Sequence, residues 1–210
     1  MEHGVTELVT GLDLVREQLT VAAGEPLSAE VLEAAEAAAE PRAHAIELRI
    51  SAEDPARAFA PAPGTLTRWR EPAGPGVRMD SGVEEGMVVT GHYDPLLAKV
   101  LVVAPDRARA VARARRAIGE LETGGVQTTQ PCVKWLLAHP VFVEGRLRTD
   151  LVDTDWDPRP LRAAAERRAA ELVAAAWQPP GLAGPAPTRE PAADPWHLAG
   201  HREAVRRWQP

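Results

Sequence analysis

Three short stretches concentrate the side chains that could do chemistry: Glu2 to Glu7 (EHGVTE), Ala45 to Arg49 (AIELR) and Gly91 to Lys99 (GHYDPLLAK). The first sets His3 between two carboxylates, Glu2 and Glu7, residue types suited to proton transfer. The second spaces Glu47 and Arg49 two apart. On a strand that spacing puts both on one face, where they could bind an anion or brace a carboxylate, or serve as an ordinary polar face. The third offers Tyr93, Asp94 and Lys99. The remaining histidines, His44, His92, His139, His197 and His201, are scattered, and each is expected to be hydrogen-bonded or solvated rather than a metal ligand. No GxGxxG or GxxxxGK[ST] loop is present, so no motif cradles phosphate, and HREAV at 201–205 lacks the second histidine of a zincin. The single cysteine, Cys132, excludes an intramolecular disulfide and reads as a buried structural thiol among Val133, Trp135 and Leu137.

The elements that must position these groups change period along the chain. Asp13 is placed to cap a helix running to Gly24, with Leu12, Val15, Leu19 and Ala22 on one face, and residues 29–42 read as a second, alanine- and glutamate-rich stretch, either an exposed helix or a mobile insertion with helical leaning. From 43 to 104 the period becomes two. HAIELRI alternates Ile46, Leu48 and Ile50 against Ala45, Glu47 and Arg49, and TLTRWR, GVRMDSG, GMVVTGHYD and AKVLVVA follow as strands separated by short turns. Such close spacing predicts an antiparallel sheet or a small barrel rather than a parallel, doubly wound sheet. Asp106 caps the clearest helix, 106–122, with Ala110, Val111, Ala114 and Ile118 on its apolar stripe and its arginines on a solvated face. TQPCVKWLLAHP is a further helix, and an alanine-arginine helix over 161–177 precedes a proline-rich run and a short tail.

Composition bounds the function. The chain has 210 residues, 45% hydrophobic but only 4% aromatic, so small aliphatic side chains must fill its core. Lys plus Arg number 24 against 30 Asp plus Glu, a net charge of -6, which gives no electrostatic case for a nucleic-acid partner. No run reaches about 18 uncharged apolar residues, so no membrane span is expected. MEHGVTE lacks the basic start of a signal peptide, and a cytoplasmic protein is expected.

The three clusters, in this order, resemble the biotin carboxylases. EHGVTELVTGLDLVREQL is similar to the family's glutamate-histidine segment, in the glycine-valine-threonine-glutamate form of its urea carboxylase and acyl-CoA carboxylase branches. PRAHAIELRISAEDPARAFAPAPGTLTRWREP, GPGVRMDSGVEEGMVVTGHYDPLLAKVLVVAPDRARAVARARRAI and GVQTTQPCVKWLLAHPVFVEGRLRTDLVD continue the likeness to about residue 155. The resemblance implies an α+β fold, a small antiparallel sheet packed with helices as in the biotin carboxylase C-terminal domain. It divides the chain into a helical remnant of the ATP-grasp region at 1–42, the C-terminal domain at 43–155, and a helix with a proline-rich tail at 156–210.

For chemistry, the resemblance implies ATP- and bicarbonate-dependent carboxylation of biotin. Glu2 falls on the general base for bicarbonate and Arg49 on the arginine that orients bicarbonate and stabilises the biotin enolate. Glu47, Arg78 and Asp94 fall on supporting positions. The family's magnesium glutamates and phosphate-binding backbone would precede Glu2, and no Met-Lys pair of a biotinyl carrier follows. The chain is therefore expected to be truncated at both ends, to bind no cofactor alone although the intact family uses biotin, ATP and magnesium, and to be inert without a second part. The implied partners are a biotinylated carrier domain and either a homodimer mate or another subunit of a carboxylase. Met1 stands where the family has valine, Ala43 where it commonly has glycine, Ser51 where it has asparagine, and Gly91-His92 where it has proline-tyrosine.

Overall fold

The computed structural model describes residues 3–37 and 43–177. Two compact units divide the chain, Met1–Arg162 and Ala163–Pro210. The first unit opens with three helices, α1 (Gly4–Thr10), α2 (Leu14–Ala22) and α3 (Ala29–Ala37). The strands are β1 (His44–Ser51), β2 (Glu53–Asp54), β3 (Ala60–Pro61), β4 (Gly64–Thr65), β5 (Arg68–Arg70), β6 (Val77–Ser81), β7 (Val88–Val89) and β8 (Leu96–Ala104). After them come α4 (Arg107–Glu120), β9 (Glu122–Gly124), α5 (Gln130–Ala138), α6 (Pro140–Val143), α7 (Leu151–Asp155) and α8 (Arg159–Ala176), in which the boundary between the units falls. The fold is thus α+β, helices with small antiparallel sheets.

The main sheet has the order β1-β8-β6, all antiparallel. Paired residues share a face, so period two gives this sheet one apolar and one charged side. Ile46, Leu48 and Ile50 of β1 and Val100 and Val102 of β8 are buried on the apolar side, with Val77 and Met79 of β6 alongside. Ala110, Val111, Ala114, Ala117 and Ile118 of α4 complete that core. Full burial of an aliphatic side chain contributes about 1.5–3 kcal/mol, so this layer is the main source of stability.

Asp106 caps α4 by accepting from the Arg109 amide at 2.8 Å, as its position predicts. The arginines of α4 are exposed or half-buried, as a solvated face implies, and several of them also donate to carbonyls of neighbouring elements. Arg115 donates to the Leu137 carbonyl at 2.7 and 3.0 Å, and Arg116 to the Ala73 carbonyl at 3.2 Å. Arg113 reaches the Val103 carbonyl, and Arg107 the Phe142 carbonyl and His44. A guanidinium offers several donors on a long stem, so one side chain can satisfy carbonyls at the ends of neighbouring elements. Four of its arginines thus act as cross-links, while Arg109 pairs with Asp106 of its own cap. Burial, and then the charge of Arg107, lower the His44 pKa and favour its neutral form.

Other expectations are met in part. Asp13 caps α2, accepting from the Arg16 amide at 2.9 Å, yet no α2 residue is buried. The strand expected over 86–94 shrinks to the two residues of β7, and 91–94 are exposed. Cys132 is buried, and desolvation pushes its thiol up to about 11, as suits an inert structural cysteine. Glu2, residues 38–42, the proline-rich run and the tail with His197 and His201 lie outside the described residues.

In the second unit the described residues 163–177 belong to α8 and the residue that follows it; Leu172, Val173 and Trp177 are exposed.

Candidate active site

The charged side of the main sheet is built from two adjacent rows. Strand register sets Glu47, Leu101 and Arg78 side by side across β1, β8 and β6, and Arg49, Lys99 and Asp80 side by side in the next row. Each residue is two positions from its row neighbour on the same strand, so all six point to one face. Helix α1 covers part of it. Gly4 is buried, because a Cβ there would overlap the Leu101 side chain and stand 3.2 Å from Glu47 Oε2. Leu101, completely buried, lies under α1 and separates Glu47 from Arg78.

Ion pairs stitch the rows. Lys99 Nζ lies 3.6 Å from Glu47 Oε1, a carboxylate only 9% exposed. Arg78 grips Asp80 through two bonds, Nε to Oδ1 at 2.7 Å and Nη2 to Oδ2 at 2.8 Å, and donates from Nη1 to Glu7 Oε2 at 2.8 Å. Glu7 thereby ties α1 to β6. Its other oxygen, Oε1, accepts from the Leu14 amide at 3.2 Å and lies 3.2 Å from His3 Nδ1. The Arg78 hydrogen bond is the main reason that the Glu7 carboxyl is held below its usual range, and Asp80 and then Glu7 raise Arg78 in return. A cleft of about 420 Å³ opens beside this network, lined by His3, Glu7, Leu8, Leu12, Val15 and Arg78.

Arg49 is exposed at the edge of this face, and its backbone is fixed from outside the sheet. Thr129, just before α5, donates from Oγ1 to the Arg49 carbonyl at 3.1 Å and accepts from the Ser51 amide at 3.1 Å, while its own amide donates to the Ser51 carbonyl at 3.0 Å. These bonds sit where the register of β1 against β8 shifts, between Ile50 and Ser51. A bulge of this kind redirects side chains and ends a ladder, and Arg49 is the last charged residue of β1 before it.

The structure brings four of the five expected site residues into view. Glu47, Arg49 and Arg78 share the charged face. Asp94 is exposed beyond the start of β8 and accepts from the Leu96 amide at 2.8 Å, which shapes the entry into that strand. Glu2 lies outside the described residues; His3, its neighbour in sequence, begins them. Glu7, Asp80, Lys99 and Thr129 are members of the network that strand parity alone does not single out. Register would have found both Asp80 and Lys99, since Lys99 stands opposite Arg49 and Asp80 opposite Lys99. The described histidines are hydrogen-bonded, ion-paired or exposed. His3 pairs with Glu7, His44 lies 3.0 Å from Arg107, His139 lies 3.5 Å from Asp155, and His92 is exposed. Among the described residues no group of three or more His, Cys, Asp or Glu is placed to hold a metal ion, and no helix is long and apolar enough to cross a membrane.

An α+β domain whose sheet carries a core on one side and a lattice of arginine, lysine and carboxylate on the other is suited to handling a small anion. Residues 47–154 match the family profile of the biotin carboxylase C-terminal domain, and the chain belongs to that family. It is 41% identical over 161 residues to the biotin-dependent acyl-coenzyme A carboxylase alpha3 subunit of Mycobacterium leprae, covering 75% of this chain and 26% of that one. It is 40% identical over 154 residues to biotin carboxylase 1 of Bacillus subtilis, covering 73% and 33%. The fold matches the biotin carboxylase domain of a thermophilic 2-oxoglutarate carboxylase solved with bicarbonate, with a TM-score of 0.66 and 38% identity over 73% of this chain and 33% of that one. The chain spans about a quarter to a third of the length of the relatives it matches.

Proposed function

We propose that this chain supplies the C-terminal share of a biotin carboxylase site, in an acyl-CoA carboxylase or urea carboxylase type of enzyme, and is inert without an ATP-binding part. The observation that supports it is the charged face itself: Arg49 in one row with Lys99 and Asp80, beside Glu47 and Arg78, with α1 keyed to that face through Glu7. Glu2, one residue before α1's cap, is the base that takes the proton of bicarbonate. Arg49 meets the negative charge that develops on the carboxyl acceptor, for which a planar guanidinium with several fixed donors is apt. Glu47 and Lys99 hold the floor of the site, Arg78 anchors α1, and Asp94 shapes the approach to β8. Bound biotin would supply the nitrogen that accepts the carboxyl group.

No phosphate-cradling loop occurs in the 210 residues, so in this reading ATP and magnesium are bound by another polypeptide region. Exposed apolar side chains on the first helices, Val15, Leu19 and Val21 of α2 and Leu32 of α3, support contact with such a partner, whether a different carboxylase chain or a second copy of this one. The division into 1–42, 43–155 and 156–210 is part of the same proposal, the middle segment being the C-terminal domain.

The test mixes the chain with a separately expressed ATP-binding part of a biotin carboxylase and measures fixation of labelled bicarbonate on free biotin. The mixture is expected to be active, with a rate that falls about a hundredfold or more on Arg49→Ala, the scale of losing one preorganised donor to developing charge. Full activity in Arg49→Ala would overturn the assignment.

A further inference from the structure

Glu7 joins three parts of the molecule: the residue before α1, the start of α2, and β6. Its amide donates to the His3 carbonyl at 2.9 Å, which holds the residue before α1 by the main chain, and its Oε1 lies 3.2 Å from His3 Nδ1, close but without a hydrogen bond. The same oxygen accepts from the Leu14 amide, the first residue of α2. Its Oε2 takes Arg78, which is itself held by Asp80 on β6. The Glu7 carboxylate is 11% exposed, so these contacts are largely shielded from water. Helix α1 has seven residues, and an isolated helix of that length does not persist in water. His3, at its cap position, makes no side-chain capping bond. What holds this turn in place is therefore tertiary: the close approach of Gly4 to Leu101, and the Glu7 hub.

We propose that Glu7 is a positioning residue of the carboxylation site, fixing the turn at His3 relative to the Arg78 row of the charged face. This rests on the reading of Glu2 and Arg49 above: the residue assigned as base is bonded directly to His3, and Arg49 lies one row from Arg78. A base must keep hydrogen-bond reach to its proton, and displacement by about 1 Å can cost roughly a hundredfold. Glu7 touches no reacting atom in this account. It sets where its neighbours stand.

Two readouts test the role. The first is amide exchange by mass spectrometry on the full 210-residue chain, comparing wild type with the isosteric Glu7→Gln and with Arg78→Met. Protection of 4–14 is expected to fall about tenfold or more in both variants while β8 and α4 stay protected, the mark of a local opening. Unchanged protection of 4–14, or an equal loss in β8, would overturn it. The second is activity in the reconstituted mixture. Glu7→Gln is expected to lower kcat about tenfold or more with KM for magnesium-ATP unchanged, because the loss is in orientation rather than nucleotide binding. If Arg49→Ala abolishes activity while Glu7→Gln retains it, the positioning role fails and the site assignment stands. If Arg49→Ala retains activity, the site assignment itself fails.

Discussion

Protonating Glu7 removes the negative charge that Arg78 pairs with and weakens the carboxyl as an acceptor for the Leu14 amide. Its folded-state pKa is held below its ordinary 4.5, chiefly by the Arg78 hydrogen bond. A carboxyl depressed in this way adds stability that is fully present above about 4.5 and is lost as pH falls through its folded value. The contribution is about 1 kcal/mol, since charge-assisted bonds are worth somewhat more when shielded but Arg78 is 38% exposed. We therefore expect α1 to lose exchange protection on acidification below 4.5 while the main sheet keeps its own, and Glu7→Gln to abolish that pH dependence. Loss of protection by α1 and sheet together would mean that the helix is held by something other than this pair. At this scale the sequence revealed types and parity. Glu47 and Arg49 were legible as one face because strand period is two. Asp80, Lys99 and Thr129 were not, because their role depends on register, and register is set by which apolar rows meet α4.

The elements divide in the same way. Long periodic segments, β1, β6, β8, α4 and α5, carry enough repeats for their side chains to declare which face is buried. The two-residue strands β2, β3, β4 and β7 have no period to read, and tertiary pairing alone defines them. The arginines of α4 were legible as a solvent-facing row, but not as donors: a cation that donates to a carbonyl of a neighbouring element has the same one-dimensional pattern as one that does not. The layer between α4 and the main sheet is the element-scale claim most open to test. Ile118 is completely buried there. Truncating it to alanine is expected to cost about 2–5 kcal/mol in chemical denaturation, the range for a large-to-small core change. A cost near zero would show that α4 is not packed on the sheet as described. Gly4 illustrates a limit of reading elements from sequence: nothing in its neighbours announces that α1 must approach Leu101 closely, and only the paired strands beneath explain the missing Cβ.

At the scale of the whole molecule, family membership is fixed by the match over 47–154 and by the shared fold. In the function proposed above, Glu2 and Arg49 are the chain's two catalytic groups and act only when a nucleotide-binding part is supplied. The most direct test measures bicarbonate-dependent ATP cleavage and biotin carboxylation side by side, for the chain alone and for its mixture with an ATP-binding part. No activity is expected in the chain alone, and both activities are expected in the mixture. Loss of a positioned base or charge-stabilising donor is worth about a hundredfold or more, so Glu2→Gln is expected to depress both activities to that degree and Arg49→Ala to depress carboxylation. Wild-type rates for both reactions in both variants would contradict it.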